Sequence, residues 1–315
     1  MTEEERLAVV AWLYYKEGLT QEGIARRLGL SRVKVARLLA RARERGVVEF
    51  RITRPLPESF RLARALETAY RLAEAVVAPG GEDREAALRA VGQAAAETLL
   101  RVVGPGDALG VGWSTTLHRM NPYLHPPGRP LGGRVHELVG SFLGQANPYS
   151  VSARVAEALG CRLVPLPAPV LVERAGVARA LLREPGIAAA LEGARSVRVA
   201  FVGIGLLDRR GTLVQTGMLR LEEAEGLIRL GAVGDVLMRF FDREGKPLAT
   251  PLDDRVIGID WDAFLAIPYR VAVAVGVEKA PVIRAALAGG LVHALVTDAA
   301  TARALLEGGT PLGST

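Results

Sequence analysis

The sequence predicts an α/β protein in two parts: an N-terminal helix-turn-helix domain, with or without a wing, and a doubly wound α/β domain. After residue 74, short apolar runs alternate with helical segments, as in a parallel sheet that helices cover on both faces. Residues 1–54 instead show helical periodicity and carry 12 Lys and Arg against 7 Asp and Glu. The other 261 residues carry 28 basic and 27 acidic side chains, so the basic excess belongs to the small N-terminal part.

Residues 20–46 have the features of two short helices joined by a tight turn. Thr20 and Ser31 stand where each helix needs an N-cap, and Gly29 supplies the positive φ of the turn between them. One helical face of this stretch is apolar and consists of Ile24, Leu28, Val35, Leu38 and Leu39. The opposite face carries Arg32, Lys34, Arg37 and Arg41.

This basic face predicts double-stranded operator DNA as a partner. Lys and Arg side chains release counterions from the phosphate backbone, and the start of a second helix in the major groove reads base edges. A solvated helical hairpin that binds nothing would also carry a basic face. The two caps, the turn glycine and the small Ala25 at the helix crossing favour the DNA-binding motif.

The segments around this motif complete the predicted N-terminal half. A first helix is predicted at residues 4–16, packed under the other two. After Gly46, the stretch VVEFRIT predicts a strand or small wing, the prolines at 55 and 57 predict a linker, and residues 59–72 predict an amphipathic helix. We therefore expect a DNA-binding domain at 1–54, a linker with a connecting helix at 55–72, and an α/β effector domain at 73–315.

The α/β domain is predicted to contain strands and helices in alternation. The strands are expected at 75–78, 108–112, 135–139, 162–166, 197–203, 256–259, 271–275 and 294–297. The helices are expected at 84–102, 150–159, 176–194, 222–230, 280–288 and 299–307. Several of the strands are unbroken apolar runs, which indicates a sheet buried on both faces.

Small and hydroxyl residues follow the second predicted strand. In an open α/β sheet, ligands bind beyond the carboxyl ends of the strands. Gly112 ends the strand, and Ser114, Thr115 and Thr116 open the next segment, where free N–H groups and hydroxyls suit a phosphate. An ordinary capped helix after a strand is the alternative interpretation.

Further strand ends extend this candidate site. Their residues are Gly140, Gly205, Asp235 and Lys279. The Asp235 carboxylate is suited to accept hydrogen bonds from sugar hydroxyls, and Lys279 would add a positive charge to a phosphate pocket. Glycines punctuate such turns routinely, but several at one edge of the sheet favour a ligand site.

No catalytic set, metal site or cofactor is predicted. The four histidines, at 118, 125, 136 and 293, lack metal-ligand spacing, and no nucleophile elbow is present. Lys279 is compatible with a Schiff-base amine, but its position at a strand end favours a phosphate contact. The single Cys161 excludes an intramolecular disulfide, no apolar run reaches the ~20 residues of a membrane span, and the N-terminus is acidic. We expect a cytoplasmic protein.

The chain resembles the SorC family of sugar-responsive bacterial transcription regulators over nearly its whole length. The resemblance is carried by LTQEGIARRLGLSRVKVARLLARARERGVVEFRI, PGDALGVGWSTTL, VAFVGIG, GAVGDVLMRFFDREGKP and VEKAPVIRAALAGG. It implies a C-terminal domain related to sugar-phosphate isomerases, a phosphorylated sugar as effector, and a homodimer or homotetramer. It also implies that Gly112, Ser114, Thr115 and Thr116 hold the phosphate with help from Lys279, and that Gly205 and Asp235 line the sugar side.

Two positions depart from that family pattern. Val33 stands in the second helix of the motif where a proline is common, and Ser141-Phe142 replaces a more open glycine pair. Phe142 is expected to narrow the pocket or make it less polar.

The resulting hypothesis is a transcription regulator without catalytic turnover, whose operator affinity is controlled by a phosphorylated sugar. One alternative is a sugar-phosphate isomerase or deaminase with a DNA-binding appendage, which would need a positioned base. Another is an architectural DNA-binding protein whose α/β domain binds no ligand.

Overall fold

The structure is a computed structural model that describes residues 2–48, 57–79, 83–142, 147–148 and 150–308. Two compact units divide the chain at residue 56: residues 1–56 form the first and residues 57–315 the second. The start of the predicted linker, at 55–56, and most of the predicted wing, at 49–53, lie outside the described residues.

Three helices make up the described part of the first unit: α1 (Glu3–Tyr15), α2 (Gln21–Leu28) and α3 (Arg32–Glu44). The Thr20 hydroxyl accepts a hydrogen bond from the Gly23 N–H at 3.1 Å, and Ser31 caps α3 in the same way. Gly29 ends α2 with φ of 63°, a conformation that a residue with a Cβ adopts at a cost. The core of this unit comprises Leu7, Val10, Ala11, Leu13, Ile24, Ala25, Val35, Leu38, Leu39 and Ala42.

The second unit is built on strands joined mostly through helices. The strands are β1 (Glu74–Ala78), β2 (Ala108–Val111), β3 (Arg134–Glu137), β4 (Arg162–Val164), β5 (Val199–Val202), β6 (Gly205–Leu206), β7 (Gly234–Val236), β8 (Arg239–Phe241), β9 (Tyr269–Val273) and β10 (Ala294–Asp298). The helices are α4 (Glu58–Tyr70), α5 (Arg84–Val102), α6 (Thr115–His118), α7 (Ser152–Leu159), α8 (Ala175–Arg183), α9 (Pro185–Ala194), α10 (Thr212–Gln215), α11 (Leu221–Arg229), α12 (Trp261–Ala266), α13 (Ala280–Ala288) and α14 (Ala299–Glu307).

Seven of these strands form one parallel sheet in the order β1-β10-β9-β5-β2-β3-β4. The chain moves outward from β2 to β4 in one direction and from β5 to β10 in the other, so the order reverses between β2 and β5. Strand residues alternate between two cores: Val199 and Phe201 pack on one face, Ala200 and Val202 on the other. Burial on both faces explains the unbroken apolar runs.

A small antiparallel sheet of β6, β7 and β8 stands beside the large one. The sequence did not predict it, because its strands are two or three residues long and buried on both sides. Leu237 and Met238 form the β7–β8 turn with φ of 56° and 61°. Two-residue hairpin turns require these angles, but bulky side chains adopt them only under strain.

Two sequence predictions need correction. Residues 256–259 do not form a strand of the large sheet: Ile257 accepts a hydrogen bond from Gly140 and donates one to Val170, which gives isolated bridges to two segments instead of a ladder. The helix expected at 176–194 is two helices, because Pro185 cannot continue α8 and instead opens α9. The helices expected at 280–288 and 299–307 are confirmed.

The buried Arg270 connects the amino end of β9 to the end of α12 and to the segment after α13. Its guanidinium donates to backbone carbonyls at 2.6–3.1 Å and lies 5.6 Å from the centre of the Phe264 ring. The acceptors belong to Leu265, Ile267, Gly290 and Leu291. Burial lowers the pKa of Arg270, so these carbonyls are what hold the charge inside the protein.

We expect Arg270→Met to lower the free energy of unfolding by roughly 3–5 kcal/mol, because it leaves two buried and two partly buried carbonyls without their donor. Urea denaturation followed by circular dichroism measures this loss. The control is Arg179→Met on the exposed side of α8, which should change stability by less than about 0.5 kcal/mol. Equal stability of the two variants would contradict the role given to Arg270.

Candidate functional site

A small pocket opens at the carboxyl edge of the sheet, where the strand order reverses. This is the position at which open α/β sheets bind ligands. The segment after β2 and the segment after β5 form opposite walls. We call this cavity the switch-point pocket; it is lined by Trp113, Ser114, Thr115, Val139, Gly203, Ile204, Gly205, Thr212, Leu213, Asp235, Leu237, Met238 and Lys279.

The hydroxyl residues after β2 have separate positions. The Ser114 hydroxyl accepts a hydrogen bond from the Leu117 N–H at 2.9 Å and so caps α6. Thr115 lines the switch-point pocket, whereas Thr116 is buried and lines a neighbouring cavity. Helix α6 has only four residues, so the macrodipole that the sequence suggested for this site is small. Any anion here would depend on side chains and free N–H groups.

Gly203 permits the two walls to approach. A Cβ at Gly203 would lie 2.6 Å from the Ser114 Cβ, closer than two carbon atoms can pack. The backbone directly after β5 therefore passes against the segment after β2, and this contact requires glycine.

Asp235 is the buried carboxylate of the pocket. One oxygen, Oδ2, accepts a hydrogen bond from the Met238 N–H at 3.1 Å. The other, Oδ1, has no hydrogen-bond partner among the described residues. Burial raises the pKa of Asp235 to about 6, although the Met238 N–H and the charge of Lys279 act in the opposite direction. An unpaired buried oxygen in a pocket is a position for a ligand donor.

Gly205 is fitted to that carboxylate. It pairs with Asp235 across β6 and β7, and a Cβ at this position would lie 1.9 Å from Asp235 Oδ1. Any side chain here would displace the carboxylate, so the glycine determines where Asp235 stands.

Lys279 approaches the same pocket from the 3-10 turn before α13. Its Nζ donates a hydrogen bond to the Ile204 carbonyl at 3.1 Å. Burial lowers the pKa of Lys279, while the charges of Asp235 and Glu278 oppose that shift. The pocket thus holds one cation and one carboxylate that stabilise each other's charged forms.

Gly112 and Gly140 shape the walls without lining the switch-point pocket. A Cβ at Gly112 would lie 2.6 Å from Leu237 Cδ2, so this glycine leaves room for the strained turn. The Gly140 carbonyl accepts a hydrogen bond from Trp113 Nε1 at 3.0 Å. The predicted effector residues therefore divide into those that line the pocket, namely Ser114, Thr115, Gly205, Asp235 and Lys279, and those beside it, namely Gly112, Thr116 and Gly140.

Trp113 is a wall residue that sequence reasoning missed. Its ring packs on Phe142 with centroids 5.3 Å apart and lines the pocket, whereas Phe142 does not. Phe142 was expected to narrow the pocket or make it less polar; it contacts Trp113, which lines the pocket, but does not line the pocket itself. The position of Trp113 directly after a strand-ending glycine was the signal that could have identified it.

Helix α3 presents a second candidate surface. Arg32, Lys34, Arg37 and Arg41 are all exposed. Arg41 also donates to Glu3 of α1 at 2.9 Å, so this side chain is partly neutralised by its own unit. Val33 was not predicted as a site residue, yet 63% of it is exposed between Arg32 and Lys34. The solvent face of α3 therefore combines cations with one apolar side chain.

The fold and the pocket define an α/β ligand-binding protein with a small helical unit at its N-terminus. The family model described as “Putative sugar-binding domain” matches residues 54–307. The chain is 35% identical to the transcriptional regulator LsrR of Klebsiella pneumoniae over 309 residues, which cover 97% of this chain and 94% of that protein. It is 34% identical to the erythritol catabolism regulatory protein EryD of Brucella abortus over 307 residues, 96% of each chain.

Solved structures give the same assignment. The full-length sorbitol operon regulator SorC from Klebsiella pneumoniae is 27% identical, has a TM-score of 0.75, and aligns over 97% of this chain and 99% of its own. The chain therefore belongs to the SorC family of sugar-binding transcriptional regulators. Like its relatives, it is a sugar-responsive transcriptional regulator.

Two features are absent from the described residues. None of their helices is both long and apolar enough to cross a membrane. Across the same residues, no group of three or more His, Cys, Asp or Glu side chains is arranged to hold a metal ion.

We expect Asp235→Asn to stabilise the ligand-free protein above pH 6. The pKa of an aspartate carboxyl is ordinarily 3.8, and burial raises the pKa of Asp235 to about 6. The folded state therefore binds the proton more tightly than the unfolded state, and the protein loses stability as the pH rises from about 4 to above 6. At pH 7.5 the variant should gain up to roughly 3 kcal/mol, the equivalent of two pKa units, and the gain should shrink toward pH 4.5.

Urea denaturation between pH 4.5 and 8 measures this difference. The exposed Asp254→Asn is the matched control and should follow the wild type at every pH. A constant difference between Asp235→Asn and wild type across the range would show that the titration of Asp235 does not affect folding.

Proposed function

We propose that α3 binds operator DNA and that a phosphorylated sugar in the switch-point pocket controls this binding. The observation that carries the proposal is the buried, unpaired Oδ1 of Asp235, a residue that lines a pocket at the reversal of strand order together with the cation of Lys279. A polyol supplies the missing hydroxyl donor, and a phosphate supplies the anion for Lys279.

Helices α2 and α3 act as a helix-turn-helix in this proposal, within a DNA-binding domain at residues 1–54. The apolar faces that pack in the first unit fix the angle between the two helices, which leaves the start of α3 exposed for the major groove. Arg32, Lys34 and Arg37 would contact phosphates and base edges. Arg41 lies farther along the helix. It would break its ion pair with Glu3 and contact the DNA backbone.

Val33 adds a candidate for direct base reading. Apolar side chains at the start of a recognition helix contact the methyl group of thymine. Val33 is 63% exposed and lies outside the core of its unit, so its side chain is available for this contact.

The effector domain, residues 73–315, would bind the sugar with its hydroxyls toward Asp235. Thr115, Thr116 and Lys279 would contact the phosphate where the switch-point pocket meets the neighbouring cavity. Ser114 would contribute its backbone, because its hydroxyl already caps α6.

Ligand binding would change operator affinity by altering how the DNA-binding domains of an oligomer are spaced. We propose a homodimer or homotetramer, since one helix-turn-helix makes few contacts and symmetric pairs match two half-sites. Coupling of this kind amounts to about 1–3 kcal/mol, or about 5–150-fold in affinity.

One observation favours an enzyme of the isomerase type as a second candidate: a carboxyl with a pKa of about 6 in a pocket could act as a general base. Asp235 Oδ2 is held by the Met238 N–H, and the proposed function uses the carboxylate only to accept a hydrogen bond. Incubation with aldose and ketose phosphates, followed by chromatography, separates the two; we expect no interconversion.

We expect Arg37→Ala to weaken operator binding without affecting effector binding. A base-reading role would reduce discrimination between operator and mutated operator by about 1–3 kcal/mol, whereas a phosphate contact would reduce the dependence of affinity on salt. Fluorescence anisotropy at several salt concentrations measures both, with Arg229→Ala in α11 as a charge-matched control.

Val33→Ala belongs to the same experiment. It should weaken binding most at operators that contain a contacted thymine and leave the salt dependence unchanged. Full operator affinity in the alanine variants of Arg32, Lys34 and Arg37 would remove α3 from the interface.

Thr115→Glu should abolish effector binding through like-charge repulsion, and Thr115→Ala should weaken it by roughly 1.5–3 kcal/mol through loss of a hydrogen bond to a charged group. Both variants should bind operator normally but lose the response to effector. Calorimetric titration with a sugar phosphate and its unphosphorylated parent tests this, with the exposed Thr68→Glu on α4 as control. Wild-type affinity in Thr115→Glu would exclude the site; a preference for the unphosphorylated sugar would exclude the phosphate.

A further inference from the structure

Helix α1 has an exposed stripe on the side that faces away from α2 and α3. Leu7, Val10 and Ala11 of this helix are buried in the core of the first unit. Residues four, three and four positions apart fall on one line along a helix. The exposed residues on the line opposite the core, which we call the α1 stripe, are Glu5, Val9, Trp12 and the C-cap residue Lys16.

The middle of the α1 stripe is apolar. Trp12 is 58% exposed and Val9 is 37% exposed, and the exposed Ala8 lies beside them. Single apolar residues on a surface are ordinary. A continuous apolar patch that includes a tryptophan instead indicates a contact surface, because covering that ring removes a large apolar area from water.

The two ends of the α1 stripe carry opposite charges. Glu5 Oε2 accepts a hydrogen bond from the Thr2 N–H at 2.7 Å, and this contact of the N-terminal cap holds the carboxylate in place. Neither Glu5 nor Lys16 forms an ion pair with another described residue. The acids Glu3 and Glu17, which lie off the stripe, do pair with arginines of α3 and α2. The stripe therefore keeps its end charges available for a partner.

This order of an acidic start, an apolar centre and a basic end is complementary to a second copy of itself. In an antiparallel pair, a two-fold axis at the middle of the stripe places Glu5 opposite the partner's Lys16 and Val9 opposite the partner's Trp12. A parallel pair would place Glu5 against Glu5 and Lys16 against Lys16, and like charges disfavour that arrangement. The charges thus select one direction of pairing.

The α1 stripe is too small to hold two chains together alone. It covers about three helical turns, far less surface than the about 1,000 Å² that a stable interface buries. Contacts elsewhere in a homo-oligomer would raise the effective concentration of one α1 at the other, so that a small interface suffices.

Resting on the homo-oligomer of the proposed function, we infer that two copies of α1 pair antiparallel through the α1 stripe and join two DNA-binding domains into a symmetric pair. Val9 and Trp12 form the apolar centre of this contact, and Glu5 and Lys16 fix its direction. The pairing leaves the solvent face of α3 free. It also fixes the spacing of two copies of α3, as half-sites about 34–36 Å apart require.

Cross-linking of the full chain tests the pairing. Val9→Cys, in a Cys161→Ser background, is treated with a short bismaleimide. Because Val9 lies next to the two-fold axis, two copies of its thiol come close, and we expect a covalent dimer. Glu4→Cys is the matched control, exposed on α1 but off the stripe. Its two copies would lie about 20 Å apart along the paired helices and should not react with one linker.

An absent cross-link at Val9, or an equal one at Glu4, would overturn the inference. If the stripe rests instead on the second unit of its own chain, Val9→Cys will react slowly with a monofunctional maleimide and form no dimer. That outcome also overturns it.

A charge swap tests the direction of pairing. In the Val9→Cys protein, Glu5→Lys alone and Lys16→Glu alone each place like charges opposite one another, so each should slow cross-linking at least about fivefold. The double swap should restore the rate. Within one chain the two positions are about 16 Å apart, beyond the Debye length at physiological salt, so only contact between copies explains the restoration. Unchanged rates in the single swaps, or no recovery in the double swap, would contradict the antiparallel pair.

Trp12→Ala should slow the same reaction at least about tenfold, because it removes the largest apolar side chain of the contact. Phe60→Ala is the control, since Phe60 is a similarly exposed aromatic residue on α4. Equal rates in these two variants would remove Trp12 from the interface and overturn the inference.

Operator binding separates this inference from the proposed function. An oligomer that binds operator and responds to a sugar phosphate, but gives no cross-link at Val9, would refute the α1 pairing and leave the proposed function standing. A cross-link at Val9 that follows the charge swap would support the pairing even in a protein whose operator binding ignored sugar phosphates, and there the proposed function would fail.

Discussion

Strands β2 and β5 are neighbours in the sheet, but the chain leaves them toward opposite edges. The crevice between the two departing segments is the switch-point pocket, and its position follows from topology before any side chain is considered. Gly203 keeps the crevice narrow because it lets the segment after β5 pass against Ser114. The small sheet β6–β8 then brings Asp235 to the crevice, and the 3-10 turn before α13 brings Lys279. The residues of the switch-point pocket come together at one edge of the sheet because of this reversal.

The pocket lowers the stability of the ligand-free protein in two ways. Asp235 is buried with one unpaired oxygen, and Leu237 and Met238 hold positive φ angles that their side chains disfavour. The two features are joined, because Asp235 Oδ2 binds the N–H of Met238. A hydroxyl on Oδ1 would therefore stabilise the carboxylate that holds this turn. Selection for ligand binding explains why such a costly arrangement persists within an otherwise well-packed unit.

The sequence predicted the parts of the fold that follow simple periodicity. Helices α13 and α14 and the parallel strands could be located because long apolar patterns and strand-end glycines are local signals. The short strands β6, β7 and β8 could not, since two or three buried residues carry no period. Asp235 was predicted as a sugar contact. Its pairing with Gly205 and its unpaired oxygen were not predicted, because both depend on the neighbouring strand β6, which the sequence does not reveal. The wall position of Trp113 and the exposure of Val33 could not be predicted, because both are properties of the tertiary structure.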